Sequence, residues 1–176
     1  MKKIVFILPL LAAMAFLSCR PSSPSVYRGL PRTYSTAYAT LYGHCYDSIS
    51  SAVLTLDLYS DGLELTKDNS IQGTGYNLCL SDVLVPDSLL EEGTYSSSDS
   101  AEPFTFLPGR SYEGYPHGAY LLNIEENKVK TIQVLDSGQF VYRNDSLLFT
   151  LYYRNAYGSK ATYTCSYAGA LIPLSK

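Results

Sequence analysis

Between Val53 and Tyr59 the chain alternates with a period of two: Leu54, Leu56 and Leu58 fall on one side, Thr55, Asp57 and Tyr59 on the other. That spacing belongs to a pleated strand with one face on a core, because a helix would scatter the three leucines round its circumference. Gly75 to Leu80 follows the same rule, with Tyr76, Leu78 and Leu80 together. Further strands are predicted at Thr36 to Tyr42, Phe104 to Leu107, Ala119 to Ile124, Val129 to Leu135, Gln139 to Arg143, Leu147 to Arg154 and Ala161 to Tyr167. Asp61-Gly62, Glu126-Asn127, Asp136-Ser137-Gly138, Asn144-Asp145 and Asn155 to Gly158 separate them with residues that tolerate turn geometry. No stretch beyond the leader carries a helical period over eleven or more residues. Ser88-Leu89-Leu90-Glu91, ended by Gly93, has the form of a capping box and predicts one short helical turn. The expected fold is all-β, an antiparallel β-sandwich, with a lipocalin-like β-barrel as the alternative. Gly118 to Gly169 reads as a five-strand meander, and Ser96 to Ser100 as a mobile loop with little to bury.

The leader has a separate logic. Met1-Lys2-Lys3 is a basic start, and Ile4 to Leu17 is apolar but too short to span a bilayer. Phe16-Leu17-Ser18-Cys19 then resembles a lipobox, which implies cleavage between Ser18 and Cys19 and lipidation of Cys19, with diacylglycerol on its sulfur and an acyl chain such as palmitate in amide linkage on its nitrogen. Residues 1–18 are thus expected to be a lipoprotein signal peptide, residues 19–33 a Pro- and Ser-rich tether, and residues 34–176 a single all-β domain. Cleavage leaves eleven Lys and Arg against sixteen Asp and Glu, a net charge of −5, so no nucleic acid partner is expected and the chain is a poor candidate for anionic lipid. With Cys19 occupied, Cys45, Cys79 and Cys165 remain, so at most one disulfide can form among them. Each lies in a strand-like run, where burial as a small apolar side chain is expected ahead of a bridge.

Tyr38-Ala39-Thr40-Leu41-Tyr42-Gly43, Gly75-Tyr76-Asn77-Leu78-Cys79-Leu80-Ser81-Asp82, Glu92-Gly93-Thr94-Tyr95 and Phe106-Leu107-Pro108-Gly109 together resemble uncharacterised β-rich lipoproteins of the gut Bacteroidota. The resemblance implies an envelope location on the outer membrane and brings no catalytic residue with it. Many lipoproteins of that lineage reach the cell surface with acidic residues after the lipidated cysteine. Arg20-Pro21-Ser22-Ser23 has none, so the periplasmic face is favoured.

Signals for enzyme chemistry are missing. No Gly-x-Ser-x-Gly elbow occurs, and His44 and His117 are the two histidines. His44 and Cys45 are adjacent and His117 follows Tyr115-Pro116, so neither has metal partners at a recognisable spacing. Glu91-Glu92 and Glu125-Glu126 sit beside turns, as solvated charges do, and no phosphate or dinucleotide loop is present. No catalytic residue, metal or cofactor is expected.

Tyrosine is the compositional excess, seventeen in all, and each offers a flat ring with a hydrogen-bonding tip. Tyr152 and Tyr153, with Tyr163 and Tyr167 on the next strand, are the candidate binding rings for a protein or glycan partner. Asp followed by Ser and an apolar residue, a pattern resembling the O-glycosylation signal of exported Bacteroidota proteins, marks Ser48, Ser88, Ser100 and Ser146. The sequence therefore predicts a non-enzymatic envelope lipoprotein whose domain binds a partner, with a small-ligand barrel second and a hydrolase a distant third.

Overall fold

The computed structural model describes residues 29–45, 51–87 and 89–174, and among these there is no helix. In chain order the strands are β1 (Thr33–Tyr34), β2 (Thr36–Gly43), β3 (Ala52–Tyr59), β4 (Leu63–Leu65), β5 (Ile71–Gly73), β6 (Gly75–Val85), β7 (Gly93–Ser97) and β8 (Thr105–Phe106). They continue as β9 (Arg110–Tyr112), β10 (Tyr115–His117), β11 (Ala119–Glu125), β12 (Lys128–Val134), β13 (Ser137–Arg143), β14 (Ser146–Arg154), β15 (Lys160–Ala168) and β16 (Ile172–Leu174). Twelve of them make one curled sheet, a half-barrel, along the path β1-β15-β14-β13-β7-β8-β6-β3-β2-β16, with β11 on β6 and β12 on β11.

The long strand β6 explains this shape. One edge pairs with β3. On the other, Gly75 to Leu80 pair with β11, whereas Val83 and Leu84 pair with β8. The partner changes across Ser81 and Asp82, where Asp82 takes a left-handed φ of 53°. Ser81 fixes the change: its N–H donates to the Gly118 carbonyl at 3.0 Å, and its hydroxyl oxygen accepts the Gly118 N–H at 3.0 Å. Two limbs diverge from this fork, one built on β3, β6 and β11, the other on β7, β13, β14 and β15.

Both limbs feed one core. Leu54, Leu56, Leu58, Leu78 and Leu80 come from the first, and Tyr95, Phe140, Leu147, Phe149 and Leu151 from the second. Phe140 sits at the centre of an aromatic group, stacked on Tyr95 with centroids 4.6 Å apart and tilted against Phe149 at 5.4 Å. Full burial stabilises each such side chain by about 1.5–3 kcal/mol. A smaller cluster of Tyr59, Leu63 and Ile124 lies where the β4–β5 hairpin covers the other face of β3.

Four expectations change. The second half is no continuous meander, since β13 pairs with β7 and β14 and not with β12. Leu135, read as strand, crosses between the limbs: its N–H donates to the Ala119 carbonyl at 3.0 Å and its carbonyl accepts the Gly109 N–H at 2.8 Å. Leu89 to Glu92 form no helical turn. There the Tyr95 hydroxyl donates to the Glu91 carbonyl and accepts its N–H, both at 3.1 Å, taking over the work of a helical bond. Ser96 and Ser97 belong to β7, and the loop after them is held by the Ser98 N–H on the Phe106 carbonyl at 3.0 Å.

Candidate functional site

The chain between β8 and β11 leaves the fork as a hairpin of its own. In it Tyr112 stands opposite Tyr115, and Arg110 opposite His117. Glu113 and Gly114 turn the corner with φ of 50° and 86°, the paired left-handed backbone that suits a two-residue hairpin. Alternation then places Arg110, Tyr112, Tyr115 and His117 on one face of the ribbon. A two-stranded ribbon is marginal by itself, and the bonds of Gly109 to Leu135 and of Gly118 to Ser81 fasten its two roots.

The resulting face is open. Tyr112 is 66% exposed and Tyr115 72%. Beside Tyr112 lies a hollow of about 300 Å³ lined by Leu107, Pro108, Arg110, Tyr112, His117 and Gly118. The rings of Tyr112 and His117 meet edge-on at 6.4 Å, and the Arg110 guanidinium donates to Asp99 at 2.6 Å. Asp82 adds a carboxyl raised by burial and drawn back by the neighbouring His117 charge. Flat rings beside an ion pair offer stacking and directed hydrogen bonds to a bound molecule. The sequence held the signal, two tyrosines flanking Glu113-Gly114, but strands of three residues show no period.

The quartet expected on β14 and β15 is divided by the pleat. Tyr163 and Tyr167 alternate with Cys165 on the core side and are 3% and 6% exposed, so neither belongs to an open binding face. Tyr163 donates to the Pro31 carbonyl at 2.8 Å and shares a 2.7 Å bond with the Tyr34 hydroxyl; Tyr167 donates to Ala170. Burial raises both phenols. Tyr153 packs against the core, and half-buried Tyr152 remains on the outer face with the Lys160 ammonium 4.3 Å above its ring.

A second polar row crosses the outer face of the first limb, with Cys79 opposite both Asp57 and Tyr120. Burial raises the Asp57 carboxyl, and the Asn77 amide, 3.4 Å away, offsets part of this. Burial also raises Cys79 well above the ordinary thiol value and pushes Cys165 up to about 12, which keeps both protonated and inert at neutral pH. Cys79 and Cys165 are buried free thiols, whereas Cys45, beyond the end of β2, is exposed, contrary to expectation. His44 beside it is exposed, as are both glutamate pairs.

Ser100 is exposed and Ser146 half-buried; Ser48, Ser88, Ser18 and Cys19 lie outside the described residues. Among those residues no helix is long and apolar enough to cross a membrane, and no cluster of His, Cys, Asp and Glu is arranged to hold a metal. Comparison with protein-family models, curated proteins and solved structures finds no match to this chain.

Proposed function

We propose that this chain is a non-enzymatic envelope lipoprotein, anchored by lipid on Cys19, whose β-domain binds a protein or glycan partner through the β9–β10 hairpin. The observation that carries this reading is the cross-strand pair Tyr112 and Tyr115, both open to solvent, with Tyr112 lining a hollow that has an ion pair at its rim. Aromatic rings held at a binding face lose little entropy on contact, which is why tyrosine recurs in recognition surfaces. The small-ligand barrel is the weaker reading, because the interior is filled by leucine and aromatic side chains. We read the two limbs as the layers of a sandwich, since they meet in one shared core.

The test is affinity capture from intact envelopes with the lipidated protein as bait. Replacing Tyr112 and Tyr115 together by Ala should abolish capture while leaving the melting temperature within about 2 °C, as for exposed side chains. Capture that survives the double substitution would remove the hairpin from the site. Separately, Cys19→Ala should leave the precursor uncleaved and unlabelled by a fatty-acid probe, and normal processing would remove the anchor.

A further inference from the structure

The β14–β15 turn, from Arg154 to Lys160, is a rigid display. The Asn155 side-chain oxygen accepts the N–H groups of Tyr157 and Ser159, each at 3.0 Å, while Gly158 N–H donates to the Asn155 carbonyl at 2.8 Å. This frame holds Tyr157 93% exposed, more than any other large hydrophobic side chain among the described residues.

Strand direction ties that turn to the anchor. β1 runs parallel to β15, with Thr33 beside Ser166 and Tyr34 beside Tyr167. Followed backwards from Tyr34, the chain descends along β15: Arg32 accepts the Ser166 N–H, and Pro31 accepts the Tyr163 hydroxyl. It therefore heads for the Arg154–Lys160 turn and away from the Asn144-Asp145 end of the hairpin. Nine residues, Arg20 to Arg28, separate Gly29 from the anchoring Cys19, and the ten steps between them reach at most about 36 Å when fully extended.

Charge follows the same geography. Residues 19–32 and the turn 154–160 hold Arg20, Arg28, Arg32, Arg154 and Lys160, five of the eleven cations left after cleavage, and none of the sixteen carboxylates. These segments thus carry +5, and the rest of the mature chain, with six cations against sixteen carboxylates, carries −10. Asp136 lies 3.6 Å from Arg154 and offsets that one charge in part, but the Arg154 side chain stays 71% exposed.

We propose that the Arg154–Lys160 turn is the membrane-facing foot of the domain, with Tyr157 at headgroup level and the flanking cations against the phosphates of anionic phospholipid. An amphipathic ring suits the bilayer interface, and cations close to an anionic surface are drawn to it within a Debye length. The inference rests on the lipid-anchor reading, and its test separates the two.

The full lipidated protein, in a Cys45→Ser background, receives a polarity-sensitive fluorophore at Tyr157→Cys or, at the opposite end of the sheet, at Leu89→Cys. It is placed on vesicles of phosphatidylethanolamine and phosphatidylglycerol doped with brominated lipid. Emission at position 157 should be roughly halved and that at position 89 unchanged, because bromine quenches on contact with an interface-seated label. Equal quenching, or none, in protein that floats with the vesicles would overturn the foot and leave the anchor standing. Protein that fails to float would overturn both.

Discussion

Tyr163 uses its hydroxyl twice, donating to Pro31 and bonding Tyr34, and a buried phenol in that position has no water to fall back on. Tyr163→Phe should cost about 1–3 kcal/mol in urea denaturation, since it leaves the Tyr34 oxygen and the Pro31 carbonyl short of a partner. Asp57 works in the opposite sense. Between the ordinary aspartate value of 3.8 and its raised folded value, the folded chain keeps a proton that the unfolded chain releases, so stability falls as pH rises through that window. Asp57→Asn should therefore melt above the parent protein at neutral pH, with the gap closing as pH falls toward about 4. The alternation around Asp57 was plain in the sequence, but its burial was not: the face it shares with Tyr59 is covered by a hairpin whose strands are three residues long.

At the scale of elements, the long strands were legible because six or more alternating residues make a period, and the tight turns because Glu126-Asn127 and Asn144-Asp145 supply paired left-handed backbone. β1, β4, β5, β9, β10 and β16 have two or three residues each, too few for any period, and three-residue strands carry the candidate site. The tyrosines of β15 were misplaced for a related reason. Alternation says which residues share a face, and not which of two apolar faces meets the core. The hairpin with Tyr112 depends on close packing at its root, where a Cβ on Gly109 would overlap the Ala119 carbonyl oxygen and the backbone of Leu135. Gly109→Ala should lower stability by about 3 kcal/mol, at the upper end of overpacking costs, and weaken partner capture even though it touches neither tyrosine. A denaturation midpoint equal to the parent's would mean that the fork can open to admit a methyl group.

Across the whole molecule, the two ends of the described chain are stitched in by parallel pairings, β1 on β15 and β16 on β2. Contacts of that span cannot be seen in local sequence, and they must wait in folding until the strands between them are placed. Deleting residues 171–176 removes β16 and bares the outer edge of β2, so the shortened protein should unfold at lower urea and scatter light on standing, as unpaired edges do. The β1 pairing also determines how the domain meets mechanical force. Tension entering through the segment before Gly29 acts along the axis of β15, in the direction of the strands. The backbone bond from Ser166 to Arg32 and the hydroxyl bond from Tyr163 to Pro31 are then strained together in shear, where a pull across the sheet would peel them apart one after another.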